Sequence, residues 1–210
     1  EGMHGDYGAN IGKVIAIRKD LPSLLKAYAA AGSDARMNGC ELPVVINSGS
    51  GNQGLTVSVP LIVYAERAHL DKEKLYRALV ISNLTAIHLK TEIGRLSAFC
   101  GAVSAGAACG AGLAYLKDAS EEVMNHTLVN SIAITSGIIC DGAKASCAAK
   151  IAVSVEAGIL GYDMYMNGQQ FYGGDGIISK GIENTIHNIG VLGSQGMAST
   201  DQEIIKIMCE

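Results

Sequence analysis

Cys100, Cys140 and Cys147 stand among small, uncharged residues, in the strings IGRLSAFCGAVSAGAACGAG and GIICDGAKASC. Thiolates in such a setting can surround something bulky, and the first candidate is an iron–sulfur cluster. Three ligands rather than four would leave one iron open, and an open metal position acts on a substrate as a Lewis acid. The competing reading makes them core side chains, because free cysteine is among the most buried residue types. Helix geometry sorts the candidates. Cys100 and Cys109 are nine residues apart, roughly 900° around a continuous helix, and so point to opposite faces. Cys140 and Cys147 would lie roughly 10 Å apart along an unbroken helix, too far for a disulfide. Asp141–Gly142 offers a break, with Gly142 able to take the left-handed conformation at a helix end. Conventional zinc and ferredoxin spacings are absent, so spacing alone names no metal.

A second constellation lies upstream. Gly49-Ser50-Gly51-Asn52-Gln53-Gly54 matches G-x-G-x-x-G, and Asp71 and Glu73 stand near the spacing of a ribose-binding acid. A dinucleotide fold needs strands alternating with helices, which the rest of the chain does not offer. Leu55 stands where a phosphate-binding Walker loop requires Lys. What remains is physical: small residues ahead of a helix expose backbone N–H groups that bind anions. Asn47, Ser48, Gly49, Ser50, Gly51, Asn52 and Gln53 thus form a candidate nest for the carboxylate of a small substrate, against the alternative of a glycine-rich turn with no ligand. Lys144, between two of the cysteines, is either a counter-charge to something anionic or a solvated side chain. The five histidines show no metal-ligand pairing, and His88 with Glu92 reads as an i,i+4 contact.

The elements that must position these residues read as helices. Pro22 suits the first turn of a helix over 21–31, Asp71 caps one running to about Lys90, and Ser97 to Leu116 forms a buried Ala/Gly-rich helix. Ser120 starts another to about Cys140, residues 146–161 follow, residues 181–189 are weakly helical, and Thr200 with Glu203 forms a capping box for the last helix. Residues 42–46 lean towards β, and 167–176 form a Gly-rich loop. The fold class is therefore mainly α, with central buried Ala/Gly-rich helices and at most minor β. Leu96–Leu116 carries no charge and is long enough to span a bilayer, with Gly106 and Gly110 as a G-x-x-x-G pair. Its small residues give little transfer free energy, so the centre of a helical bundle is the better reading. A net charge of -4 without basic clusters excludes a nucleic-acid footprint. Six cysteines in 210 residues are too sparse for a disulfide scaffold, which points to a reducing, cytoplasmic compartment. The chain opens at Glu1 without Met, so residues 1–20 read as a linker or incoming segment of a longer polypeptide.

The strings SGSGNQG, IGRLSAFCGAVSAGAACG and CDGAKASC resemble the bacterial and archaeal L-cysteine desulfidase family, itself related to the alpha domain of iron–sulfur L-serine dehydratases. The resemblance runs from about Tyr28 to Met208 and makes residues 21–210 a serine dehydratase alpha-like catalytic domain. It implies a [4Fe–4S] cluster on Cys100, Cys140 and Cys147, with an open iron that drives β-elimination of L-cysteine or L-serine to pyruvate and ammonia. The Asn47–Gln53 nest would hold the substrate carboxylate, and Lys144 is a candidate base. Members are about twice this length, so the chain looks like their C-terminal half. An N-terminal half is then the expected partner, besides the amino acid and a further copy of the chain. The alternative is a non-catalytic helical domain that binds a small anion or a partner, with structural cysteines.

Overall fold

A computed structural model describes residues 1–210. The chain is mainly α, as its periodicity predicts, and its only β pairings are two isolated bridges, Asn47–Ser50 and Phe99–Ile139. Nine α-helices follow one another: α1 Ile11–Ala16, α2 Leu21–Met37, α3 Gly51–Arg67, α4 Lys72–Ile93, α5 Gly101–Leu116, α6 Glu121–Thr135, α7 Cys147–Met166, α8 Ile182–Val191 and α9 Ala198–Cys209. A π-helical turn, Leu192–Gly196, joins the last two. Within residues 1–20, α1 lies on α2, where the Gly12 amide donates to the buried Asp34 carboxylate at 2.9 Å.

Helix α5 is the axle. It is buried on nearly every side and packs against α3, α4, α6 and α7. Its small residues permit this. A Cβ on Gly106 would lie 2.4 Å from the Ser154 carbonyl oxygen, and one on Gly110 would lie 2.8 Å from Gly158 Cα. The G-x-x-x-G pair therefore serves a close crossing with α7 inside the bundle. No helix is long and apolar enough to cross a membrane.

Helix starts follow local chemistry where a cap exists. Asp20, Ser50, Asp71 and Ser120 accept from the amides of Ser23, Gln53, Lys74 and Val123. Elsewhere the boundaries move. Helix α5 starts at Gly101 rather than Ser97, and α6 stops at Thr135 well before Cys140. The cause is a pairing between segments far apart in sequence: Cys100 N donates to Ile138 O at 3.3 Å and Cys140 N to Ala98 O at 2.7 Å. Cys100 is thus outside the helix that holds Cys109, and the opposite-face comparison of the two does not apply. Gly142 does break the chain, at φ 95°. The expected Thr200–Glu203 capping box is not formed, because the π turn lets α9 begin at Ala198, leaving Thr200 inside it. His88 pairs with Glu183 at 2.8 Å rather than with Glu92, which instead takes His187 at 2.9 Å. These two contacts tie α4 to α8.

Candidate functional site

Three helices begin at one place. The N-terminal ends of α3, α5 and α7 open onto a cleft of about 340 Å³, whose wall includes Ser50, Gln53, Gly101, Ala102 and Cys147. The positive ends of their dipoles converge there. Helices α5 and α7 start on Cys100 and Ser146 without a side-chain cap, although in α7 the Cys147 and Ala148 amides already donate to the Lys144 and Ala145 carbonyls. Arg36 from the last turn of α2, Lys90 from the last turn of α4, Arg95 just beyond it, and Lys150 from α7 line the same cleft, and no Asp or Glu does. None of these four cations stands out in the sequence as a site residue. They come from separate elements, so no window or spacing holds them together.

Each has a different setting. Arg36 Nη1 donates to Asn52 Oδ1 at 3.2 Å. Lys150 donates to the Ile139 carbonyl at 3.0 Å and pairs with Asp141. That ammonium, with Lys144 behind it, holds the Asp141 carboxyl down to about 2, against the effect of burial. Burial pulls Lys150 down, but its contact with Asp141 outweighs this and leaves it raised. Lys90 is only 5% exposed, and its ammonium makes no ion pair or hydrogen bond within the chain. Burial lowers its pKa, offset in part by the nearby sulfurs of Cys140 and Cys100 and by Asp201. Gln53 is likewise 5% exposed, and its Oε1 is buried without a hydrogen-bond partner.

The Asn47–Gln53 segment divides between frame and wall. Asn47 is buried and donates to Asn83 O at 3.2 Å and Oδ1 at 3.0 Å, which pins the loop to α4. Ser48, with φ 49°, donates to Asn47 Oδ1 at 2.9 Å, and Gly49 has φ 84°. Ser48, Gly49, Ser50, Asn52 and Gln53 line the cleft, whereas Asn47 and Gly51 stand behind it. Lys144 is outside it, in an ion pair with Asp141 at 3.1 Å.

Cys100, Cys140 and Cys147 all reach the cleft wall, but their sulfurs do not converge as ligands. The Cys100 and Cys140 thiols share a hydrogen bond, which together with burial pushes Cys100 strongly up. The same bond, helped by the Gly142 amide and Lys150, holds Cys140 down to about 6. Cys147 Sγ turns instead to the Gly142 carbonyl at 3.7 Å. No group of three or more His, Cys, Asp or Glu side chains is placed to hold a metal ion. This overturns the expected [4Fe–4S] cluster on Cys100, Cys140 and Cys147. The open iron, the lyase assignment and the β-elimination of cysteine or serine fall with it. The physical reason is geometric: Cys147 Sγ is engaged with the Gly142 carbonyl, and the three thiols do not come together as one ligand group.

The sequence pattern of the serine dehydratase alpha chain matches residues 1–206. The chain belongs to that family. It is 64% identical over 209 residues to a UPF0597 protein of Desulfitobacterium hafniense (strain Y51), covering 99% of this chain and 49% of that one. UPF0597 proteins of Lachnoclostridium phytofermentans and Finegoldia magna are 53% and 51% identical, with 99% and 100% of this chain covered against 50% and 51% of theirs. This serine dehydratase alpha family chain thus spans about half the length of the curated relatives it matches. No solved structure matches it.

Proposed function

We propose that this chain is a small-anion-binding helical domain, and that its ligand is a small carboxylate, amino acids included, held where α3, α5 and α7 begin. The observation that carries this reading is Lys90, a side chain only 5% exposed whose ammonium has no ion pair or hydrogen bond, in a wall of cations where three helices begin. Burying a charge without a partner is costly, so a group of this kind persists where a ligand supplies the opposite charge. Gln53 Oε1 adds an acceptor for a ligand N–H or O–H. Ser50, Asn52 and Arg36 bring neutral and charged donors to the other side. In the longer relatives the domain works beside the rest of the polypeptide, which is the partner this reading expects.

Titration calorimetry with acetate, small amino acids and inorganic phosphate tests the proposal, on the chain and on Lys90→Met. The variant should lose roughly tenfold or more in affinity, the size of a charge-assisted hydrogen bond. It should also melt at a higher temperature, because a buried charge without an ion-pair or hydrogen-bond partner is gone. A variant that binds as well as the parent, or a parent that binds none of these anions, refutes the reading.

A further inference from the structure

The solvent-facing stripe of α4 departs from the polar character expected of an exposed helix face. Between Tyr76 and His88 the exposed residues are Tyr76, Arg77, Val80, Leu84, Ile87 and His88. The two polar ones are already engaged within the chain, Arg77 with Glu73 at 2.9 Å and His88 with Glu183 at 2.8 Å. Tyr76, Val80, Leu84 and Ile87 recur at helical spacing and make one apolar stripe roughly 16 Å long. Val80 is 57% exposed and Leu84 59%. Beside the stripe runs the segment that Asn47 clamps to Asn83, and it presents Leu42, Val45 and Ile46, all well exposed. Beyond the end of α4, Leu96 is 95% exposed. Ile87 and Thr91 share a shallow hollow with Ser48, Lys90 and Arg95, so the apolar stripe ends at Ile87 beside the polar rim of the anion cleft. Scattered apolar side chains need no occupant, whereas a contiguous patch marks an interaction surface.

The lengths of the relatives say what covers it. Essentially all of this chain matches about half of each, at up to 64% identity. The other half is a polypeptide of similar size in the same molecule, present at a local concentration that favours even a modest interface. We propose that the α4 stripe, with the 42–46 segment, is the docking face for that other half of the longer protein. The occupant lays an apolar ridge along Tyr76, Val80, Leu84 and Ile87. By reaching Leu96 and Arg95 it also supplies the missing side of the cleft mouth, the one point that rests on the anion-binding reading.

Hydroxyl-radical footprinting compares the full-length Desulfitobacterium hafniense relative with this chain. The positions matching Tyr76, Val80, Leu84 and Ile87 should be oxidised roughly fivefold more slowly in the full-length protein, as half-exposed side chains become interface core. Aspartate at the positions matching Val80 and Leu84 should restore fast oxidation at the position matching Tyr76. Equal rates along the stripe in the two proteins overturn the proposal. Protection in this chain alone that grows with its concentration also overturns it, since the occupant is then a second copy. Footprinting needs no anion, so loss of the anion reading and loss of this one are told apart.

Discussion

Cys140 lies diagonally from Cys100 in the short pairing of Ala98–Cys100 with Ile138–Cys140, and the proton between them stays with Cys100, the more buried of the two. Cys140 is left as the anionic partner, held down to about 6, in a wall that also contains Lys90 and Lys150. The thiolate is the nucleophile, so its alkylation by iodoacetamide should fall as pH drops below about 6 and level off above neutrality. Cys100→Ala removes the donor and should move that midpoint up towards the ordinary thiol range. Peptide-level mass spectrometry reads both, and a midpoint indifferent to Cys100→Ala disproves the shared proton. Cys109, fully buried in α5, should react only on unfolding. At this scale the sequence was informative about residue type and silent about direction. Cysteines among small residues were visible, yet whether their sulfurs converge depends on a backbone pairing that no local pattern encodes. Of the Asn47–Gln53 segment, Ser48, Gly49, Ser50, Asn52 and Gln53 line the cleft, and the segment was legible because glycine, serine and asparagine before a helix carry their own local rule. Arg36, Lys90, Arg95 and Lys150 carry none.

Among the elements, the crossing of α5 and α7 sets the relation of their two N-terminal ends, and thereby the width of the cleft. Backbone meets backbone there, with Gly110 and Gly158 too close for any side chain. Gly110→Val should destabilise the domain by about 1–3 kcal/mol or more, the range for overpacking a filled core. Urea melts measure it, and a neutral substitution would mean that the helices can slide apart at no cost. The composition of α5 announced its burial, whereas the G-x-x-x-G spacing was read only within the bilayer-span alternative. Helix starts were read correctly at Leu21, from Pro22 in the first turn, and where a capping side chain lies in sequence, as at Asp71 and Ser120. The starts of α5 and α9 and the end of α6 were misread, where a long-range pairing or a π turn decides the boundary, and α2 and α7 run on to Met37 and Met166, past the ends read at Ala31 and Gly161.

For the whole molecule, a net charge of -4 coexists with a cleft whose ionisable wall is cationic apart from its cysteines, so overall charge says little about what the cleft attracts. Its core is equally uneven. Alanine is the commonest buried apolar residue, and Phe99 is the one aromatic ring among the buried side chains. Such an interior gains cohesion from close backbone contact, and withdraws less nonpolar area from water per residue than a core of large side chains. The heat capacity of unfolding grows with the nonpolar area exposed, so calorimetry should give less than about 12 cal/mol/K per residue, the lower edge of the usual range. A value at or above that edge would show that the small-residue core exposes as much nonpolar surface as an ordinary one. With a shallow heat-capacity term the stability curve flattens, and the domain should hold its fold over a wide span of temperature without being unusually stable at any point of it.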